Sequence, residues 1–277
     1  MKIEVAKGAG FCSGVKRAIS LALSSVEKNQ PVFSLGPLIH NNQVIEDLKK
    51  RGIALVSSID EVEKGIVIFR SHGASPEDYI KAKEKGLLIA DGTCPIVARV
   101  QRIAKSLNDE GYPVIILGDK NHPEIKGIVG FAKDAIVISK PIEAISIKEK
   151  RIGLIAQTTQ SLDDFKSLIN ILLDSVSCIK VYNTICKAVL RLQRSSISLA
   201  KKSDLFIVIG GKNSANTKRL FLLTKNINPN TYHIEKFEEI DKSLFLDKKK
   251  IGITGGTSTP PEVISEVVEK IKGVKYG

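Results

Sequence analysis

Short, almost continuously apolar runs alternate along the chain with longer stretches whose apolar residues recur every three or four positions. The runs are Ile3 to Val5, Val32 to Leu35, Ile66 to Phe69, Leu87 to Ala90, Val114 to Leu117, Ala135 to Ile138, Ile152 to Ala156, Leu205 to Ile209 and Ile251 to Thr254. Their length and their richness in Val, Ile and Leu predict strands. Runs without polar alternation, such as Val114-Ile115-Ile116-Leu117, predict strands covered on both faces. Between them, sets such as Val97, Val100, Ile103, Ala104 and Leu107 predict amphipathic helices. Strand and helix alternating in this way predict an α/β protein with parallel sheets.

The pattern repeats. Cys12 to Cys94 spans 82 residues and Cys94 to Cys186 spans 92, and the glycines that close three of the predicted strands, Gly36, Gly118 and Gly210, are separated by the same two intervals. Val15, Val97 and Val189 lie three residues after the cysteines, and Arg17, Arg99 and Arg191 five after. His40, His122 and Ser214 each lie four residues past the glycine. Two of the glycine segments are also alike, Leu117-Gly118-Asp119-Lys120-Asn121 and Ile209-Gly210-Gly211-Lys212-Asn213. This register predicts three α/β repeats about a pseudo-threefold axis, residues 1–93, 94–185 and 186–277. Cys178 falls outside the register and reads as a small buried hydrophobe.

With 277 residues, 43% of them apolar, the chain has the material for sizeable cores without disulfide staples. Neither a secretory leader nor an apolar run of membrane-spanning length is expected, which points to a cytoplasmic protein with reduced cysteines. The net charge of +12 favours an anionic partner. Aromatics make up only 5% of the chain and do not interleave with Arg and Lys, which disfavours stacking on single-stranded nucleic acid.

The cysteines in register each precede an amphipathic stretch, in Cys12-Ser13-Gly14-Val15, Cys94-Pro95-Ile96-Val97 and Cys186-Lys187-Ala188-Val189. A helix N-terminus favours the thiolate, and three thiolates brought together by symmetry call for a cation. Without local Cys-x-x-Cys pairs a closed zinc site is disfavoured. Zinc with a water, or a 4Fe-4S cluster with an open iron, both remain, and ligation by thiolates alone favours iron and sulfur.

The other polar residues gather just after predicted strands: His40, His72, His122 with Glu124, Thr158, Ser214 with Asn216, and Ser258. Ligands of parallel sheets bind outside the carboxyl ends of strands, and Gly-rich loops opening helices suit phosphate groups. Glu124, two residues after His122 and expected near Thr158, suits a proton donor. His233, in Thr231-Tyr232-His233-Ile234, reads as an ordinary packed imidazole.

Taken together, Gly10-Phe11-Cys12-Ser13-Gly14-Val15-Lys16-Arg17-Ala18, Ile39-His40-Asn41, Ser71-His72-Gly73, Asp91-Gly92-Thr93-Cys94-Pro95, His122-Pro123-Glu124, Gln157-Thr158-Thr159, Thr184-Ile185-Cys186 and Asn213-Ser214-Ala215-Asn216 resemble the 4-hydroxy-3-methylbut-2-enyl diphosphate reductases. The resemblance implies a trefoil of three α/β repeats around one 4Fe-4S cluster held by Cys12, Cys94 and Cys186, with the fourth iron open. It implies reductive dehydration of an allylic alcohol diphosphate to isopentenyl and dimethylallyl diphosphates, the last step of the non-mevalonate isoprenoid pathway. The diphosphate would be held by His40, His72, His122, Ser214, Asn216 and Ser258. Glu124 with Thr158 would deliver the proton that lets water leave, and ferredoxin or flavodoxin would supply two electrons singly.

Ala215, Val189 and Leu192 depart from the family pattern, where a serine, a threonine and an arginine are usual. Two other readings stay open on the residues alone. One is a zinc hydrolase with three thiolate ligands acting on a phosphorylated small molecule. The other is a basic nucleic-acid-binding protein with structural cysteines, which predicts steeply salt-dependent binding.

Overall fold

The computed structural model describes residues 1–274. In chain order its main elements are β1 (Lys2–Val5), α1 (Ser13–Val26), β2 (Val32–Leu35), α2 (Asn42–Lys50), β3 (Ile53–Val56), β4 (Ile66–Phe69), α3 (Pro76–Glu84), β5 (Leu88–Asp91), α4 (Pro95–Asp109), β6 (Val114–Leu117), α5 (Pro123–Val129), β7 (Ile136–Ile138), β8 (Arg151–Ala156), α6 (Leu162–Leu173), β9 (Cys178–Val181), α7 (Lys187–Ala200), β10 (Leu205–Ile209), α8 (Ala215–Lys225), β11 (Thr231–Ile234), β12 (Lys250–Gly255) and α9 (Pro261–Lys272). The strands form three four-stranded sheets, ordered β3-β2-β4-β5, β7-β6-β8-β9 and β11-β10-β12-β1, and every neighbouring pair is parallel. The sheets share one plan when their strands are counted β2-β3-β4-β5, β6-β7-β8-β9 and β10-β11-β12-β1: the first lies between the second and the third, and the fourth, taken in the third sheet from the start of the chain, lies outside the third.

All nine predicted runs are strands, with ends moved by no more than one residue. The strands that the apolar pattern did not mark, β3, β9 and β11, all lie at sheet edges. Side chains of an edge strand need only partial cover, and Leu55 in β3 and Val181 in β9 are indeed exposed. Cys178 is corrected by the same fact. It opens edge strand β9 and is exposed, not a buried hydrophobe.

The third sheet departs from the sequence ranges at the chain's start. Strand β1 pairs with β12, Ile3 opposite Ile251 and Val5 opposite Ile253, rather than with a strand of the first range. Apolar spacing shows that a four-residue strand exists but not which sheet edge takes it. Two compact units result, one of Met1–Val15, His40–Val44 and Lys187–Gly277, the other of Lys16–Ile39 and Ile45–Cys186.

The third sheet shows why its strands read as unbroken apolar runs. On β10, Leu205, Ile207 and Ile209 pack into a core with Ile264, Val267 and Ile271 of α9. The alternate residues, Phe206 and Val208, pack into a second core with Leu192 and Leu199 of α7 and Leu220 of α8. Leu192, 1% exposed, and Val189, 4% exposed, are therefore core residues, and a charge buried at Leu192 would be costly without a partner. The second sheet buries Val114, Ile116 and Ile155 under Val100, Ala104 and Leu107 of α4, the helical stripe the spacing predicts.

Gly210 ends β10 at φ +140°, and a Cβ there would meet the Thr259 hydroxyl. Gly210→Ala is expected to lower stability by about 1–3 kcal/mol through backbone strain and this collision, read as a lower midpoint in urea unfolding.

Candidate functional site

The shared strand order fixes where chemistry can sit. In each sheet the direction of winding reverses between the first and third strands, and the loops leaving these two strands flank a crevice at their carboxyl ends. The loops after β2, β6 and β10 carry His40, His122 and Ser214, and those after β4, β8 and β12 carry His72, Thr158 and Ser258. Glu124 and Asn216 follow in the first turns of α5 and α8.

The three cysteines in register are equally placed. Each follows the fourth strand of its sheet and immediately precedes α1, α4 or α7. Each also gives its backbone N–H to the carbonyl two residues past the third strand: Cys12 to Thr257 at 3.2 Å, Cys94 to Ser71 at 3.0 Å and Cys186 to Thr158 at 2.9 Å. All three are half-buried and free of disulfides. Cys94 is the N-cap of α4, with Pro95 at the first helical position, where its missing N–H costs nothing. The thiol of Cys12 accepts the Val15 N–H at 3.5 Å. In front of Cys94, Arg17 donates to the carbonyls of Thr93 and Asp91 at 3.0 and 3.1 Å, holding the segment that presents the thiol.

The unit of Lys16–Ile39 and Ile45–Cys186 contains Cys94, Cys186, His72, His122, Glu124 and Thr158. The His72 and His122 rings meet edge to face, centroids 5.2 Å apart. His122 caps α5, its Nδ1 accepting the Glu124 N–H at 3.1 Å. The Glu124 carboxyl is buried and gripped by one residue: the Thr158 N–H donates to Oε1 at 2.7 Å and the Thr158 hydroxyl to Oε2 at 2.8 Å. Burial raises the Glu124 pKa to about 7, while the two bonds from Thr158 pull it down. Gln157 braces the neighbouring loop, its Oε1 accepting the Asp119 N–H at 3.0 Å.

The other unit contains Cys12, His40, Ser214, Asn216 and Ser258. Ser214 caps α8, and the Ser258 hydroxyl lies 3.3 Å from its Oγ and 3.5 Å from the His40 carbonyl. Asn216 is 3% exposed, yet among the described residues neither its Oδ1 nor its Nδ2 has a hydrogen-bond partner, and the buried Thr217 hydroxyl also lacks one. A carboxamide buried in this way loses about 1–3 kcal/mol per group unless a ligand or water completes it. Sequence reasoning missed Thr217 and the anchoring of His233, whose Nε2 lies 2.8 Å from the Gly210 carbonyl. No motif marks either residue: His233 meets a backbone carbonyl far away in sequence, and Thr217 stands out only through the burial of its hydroxyl.

Three parallel α/β sheets of one plan, with a cysteine and polar switch-point loops on each, define a triplicated α/β protein. Comparison with known proteins narrows this class. A family model described as LytB protein matches residues 3–272, and the chain belongs to that family. The 4-hydroxy-3-methylbut-2-enyl diphosphate reductase of Geobacter metallireducens is 42% identical over 276 residues, covering 99% of this chain and 98% of the relative. That of Campylobacter lari is 43% identical, with 98% of each chain covered. A solved structure of (E)-4-hydroxy-3-methyl-but-2-enyl diphosphate reductase, the terminal enzyme of the non-mevalonate pathway, superposes with a TM-score of 0.72 at 42% identity, covering 98% of this chain and 99% of that one. The E-1-hydroxy-2-methyl-but-2-enyl-4-diphosphate reductase from Plasmodium falciparum gives 0.93 at 26% identity, covering 98% and 88%. Neither the hydrolase nor the nucleic-acid reading finds support among these relatives. No helix among the described residues is long and apolar enough to cross a membrane.

Proposed function

We propose that the chain reduces 4-hydroxy-3-methylbut-2-enyl diphosphate to isopentenyl and dimethylallyl diphosphates, consuming two electrons and two protons and releasing the hydroxyl as water. The observation that carries this reading is the common address of the candidate residues: all of them follow the first, third or fourth strand of a sheet, and they include a buried carboxamide without a hydrogen-bond partner among the described residues. The donor set fits a 4Fe-4S cluster. It offers one half-buried thiol per sheet at an equivalent helix start, with no fourth protein thiol in register, and Cys12, Cys94 and Cys186 would be the ligands. When bound, the cluster would supply electrons one at a time and a Lewis-acidic iron.

The chain's own residues bind, orient and deliver protons. His40, His72, His122, Ser214, Asn216 and Ser258 hold the diphosphate, and fixing this non-reacting end positions the C–O bond that breaks. Glu124 holds a proton at its carboxyl, and Thr158 fixes the carboxyl's orientation through both of its oxygens. That proton leaves with the substrate hydroxyl. The second proton adds to either end of the allylic system and so gives two products. The electron donor is ferredoxin or flavodoxin, as the family resemblance implies, and the setting is cytoplasmic.

Incubating the reconstituted protein anaerobically with the diphosphate and a one-electron dye is expected to yield both products; absence of either would contradict the reaction. Asn216→Ala is expected to weaken inorganic diphosphate binding about tenfold, the scale of one or two hydrogen bonds to a charged group. It should leave the urea midpoint unchanged or slightly higher, because no bond within the protein is lost. Calorimetric titration and urea unfolding read the two effects separately.

A further inference from the structure

The loop Gly210–Ser214 is braced differently from its counterpart in the second sheet. There, Asp119 Oδ1 accepts the Asn121 N–H at 2.9 Å and Gln157 accepts the Asp119 N–H at 3.0 Å, so the loop is held by its own side chain and by the residue following β8. The third sheet has Gly211 and Gly256 at these two places. A Cβ on Gly211 would lie 2.6 Å from the His40 carbonyl, and one on Gly256 would collide with the Thr217 hydroxyl, so neither position can carry a brace.

Strand β11 supplies one instead. His233 pairs in register with Val208 of β10, and the equivalent positions in the other sheets, opposite Ser34 and Ile116, are Leu55 and Val137. Two residues on, Glu235 stands where the other sheets have Ser57 and Ser139. The turn itself is shared, since Glu61, Glu143 and Glu239 accept the N–H of Ser57, Ser139 and Glu235 at 2.9, 3.1 and 3.3 Å. What is particular to the third sheet is that both departures reach the loop. His233 Nε2 lies 2.8 Å from the Gly210 carbonyl, and Glu235 Oε1 accepts the Lys212 N–H at 2.7 Å. Lys212 Nζ pairs with Glu239 at 2.6 Å.

We propose that His233 and Glu235 are positioning residues for diphosphate binding: they clamp the Gly210–Ser214 backbone and so aim Ser214 and Asn216 at the ligand. The proposal rests on reading this loop as the diphosphate site. A carbonyl only accepts, so Nε2 carries the hydrogen, and burial lowers the His233 pKa, which favours the neutral ring. Phe221 of α8 lies against that ring at 5.7 Å between centroids and fixes its plane. Clamping in advance spares the ligand the ordering of five loop residues.

The test titrates inorganic diphosphate into cluster-loaded wild type, His233→Leu, Glu235→Ser, the double variant, His233→Gln and Asn216→Ala, with iron content and urea midpoint measured alongside. The double variant, which installs the residues of the first sheet, is expected to bind about tenfold more weakly with unchanged iron, and to raise KM while kcat holds. His233→Gln keeps an N–H at the same reach and should return to within about twofold of wild type. Glu235→Ser should speed amide exchange at Lys212. Weakened binding for Asn216→Ala with wild-type binding for the double variant would overturn the clamp alone, as would failure of His233→Gln to restore affinity. Wild-type binding for both would overturn the reading of the loop, and the clamp with it.

Discussion

Glu124→Gln is expected to lower turnover about 10²- to 10⁴-fold, the usual range for a positioned proton donor, while iron content and diphosphate affinity stay within about twofold of wild type. The expectation follows from the way Glu124 is held. Its carboxyl is buried, it accepts two short hydrogen bonds from Thr158, and its pKa of about 7 lets it keep a proton near neutrality. Glutamine preserves size and keeps an oxygen to accept the Thr158 N–H, so the loop survives. The Thr158 hydroxyl can turn to accept from the new amide. Only the transferable proton is lost. Single-turnover rates measured beside calorimetric binding separate this from a binding defect, and wild-type turnover in the variant would remove Glu124 from the proton path.

The same carboxyl ties stability to pH, with a definite sign. Its pKa in the folded protein, about 7, lies above the 4.5 of an unperturbed glutamate, so the folded state holds the proton more tightly. The stability this contributes is fully present below pH 4.5 and is lost as pH rises through about 7. At about 1.4 kcal/mol per pH unit the span amounts to about 3 kcal/mol. The difference in unfolding free energy between Glu124→Gln and wild type should therefore be flat below pH 4.5, grow in favour of the variant up to about pH 7, and level off above it.

The second large effect belongs to the cysteines. Serine at Cys12, Cys94 or Cys186 is expected to abolish turnover and remove most of the iron, because in the proposed cluster each of the three thiolates would hold one iron. Serine at Cys178 should change neither. That thiol opens an edge strand, lies outside the register and is exposed. Cys178 thus serves as an internal control in which one thiol is removed without touching the site.

The placement of the candidate residues after strands and at helix starts was more legible in the sequence than the assembly of the sheets. Glycines closing strands, cysteines opening helices and histidines four residues past a glycine are local features, and each survives as spacing along the chain. Glu124 beside Thr158 was readable because both follow strands of one sheet. Pairing between distant segments leaves no such trace. Nothing in Lys2–Val5 says that its partner is β12, and edge strands such as β11 carry too little apolar alternation to stand out. Nor does His233 announce that it bonds the Gly210 carbonyl, since that contact exists only once β10 and β11 lie side by side. The departures Val189 and Leu192 became intelligible through burial: both fill cores.

The central claim, that three equivalently placed cysteines hold one redox cluster, is tested most directly by counting iron and acid-labile sulfide per chain. The protein is purified anaerobically for this, as wild type, Cys178→Ser and Cys186→Ser. About four of each in the first two, with a one-electron-reducible visible spectrum, and a collapse of both in Cys186→Ser are expected. Zinc without sulfide, or full iron retained by Cys186→Ser, would contradict it.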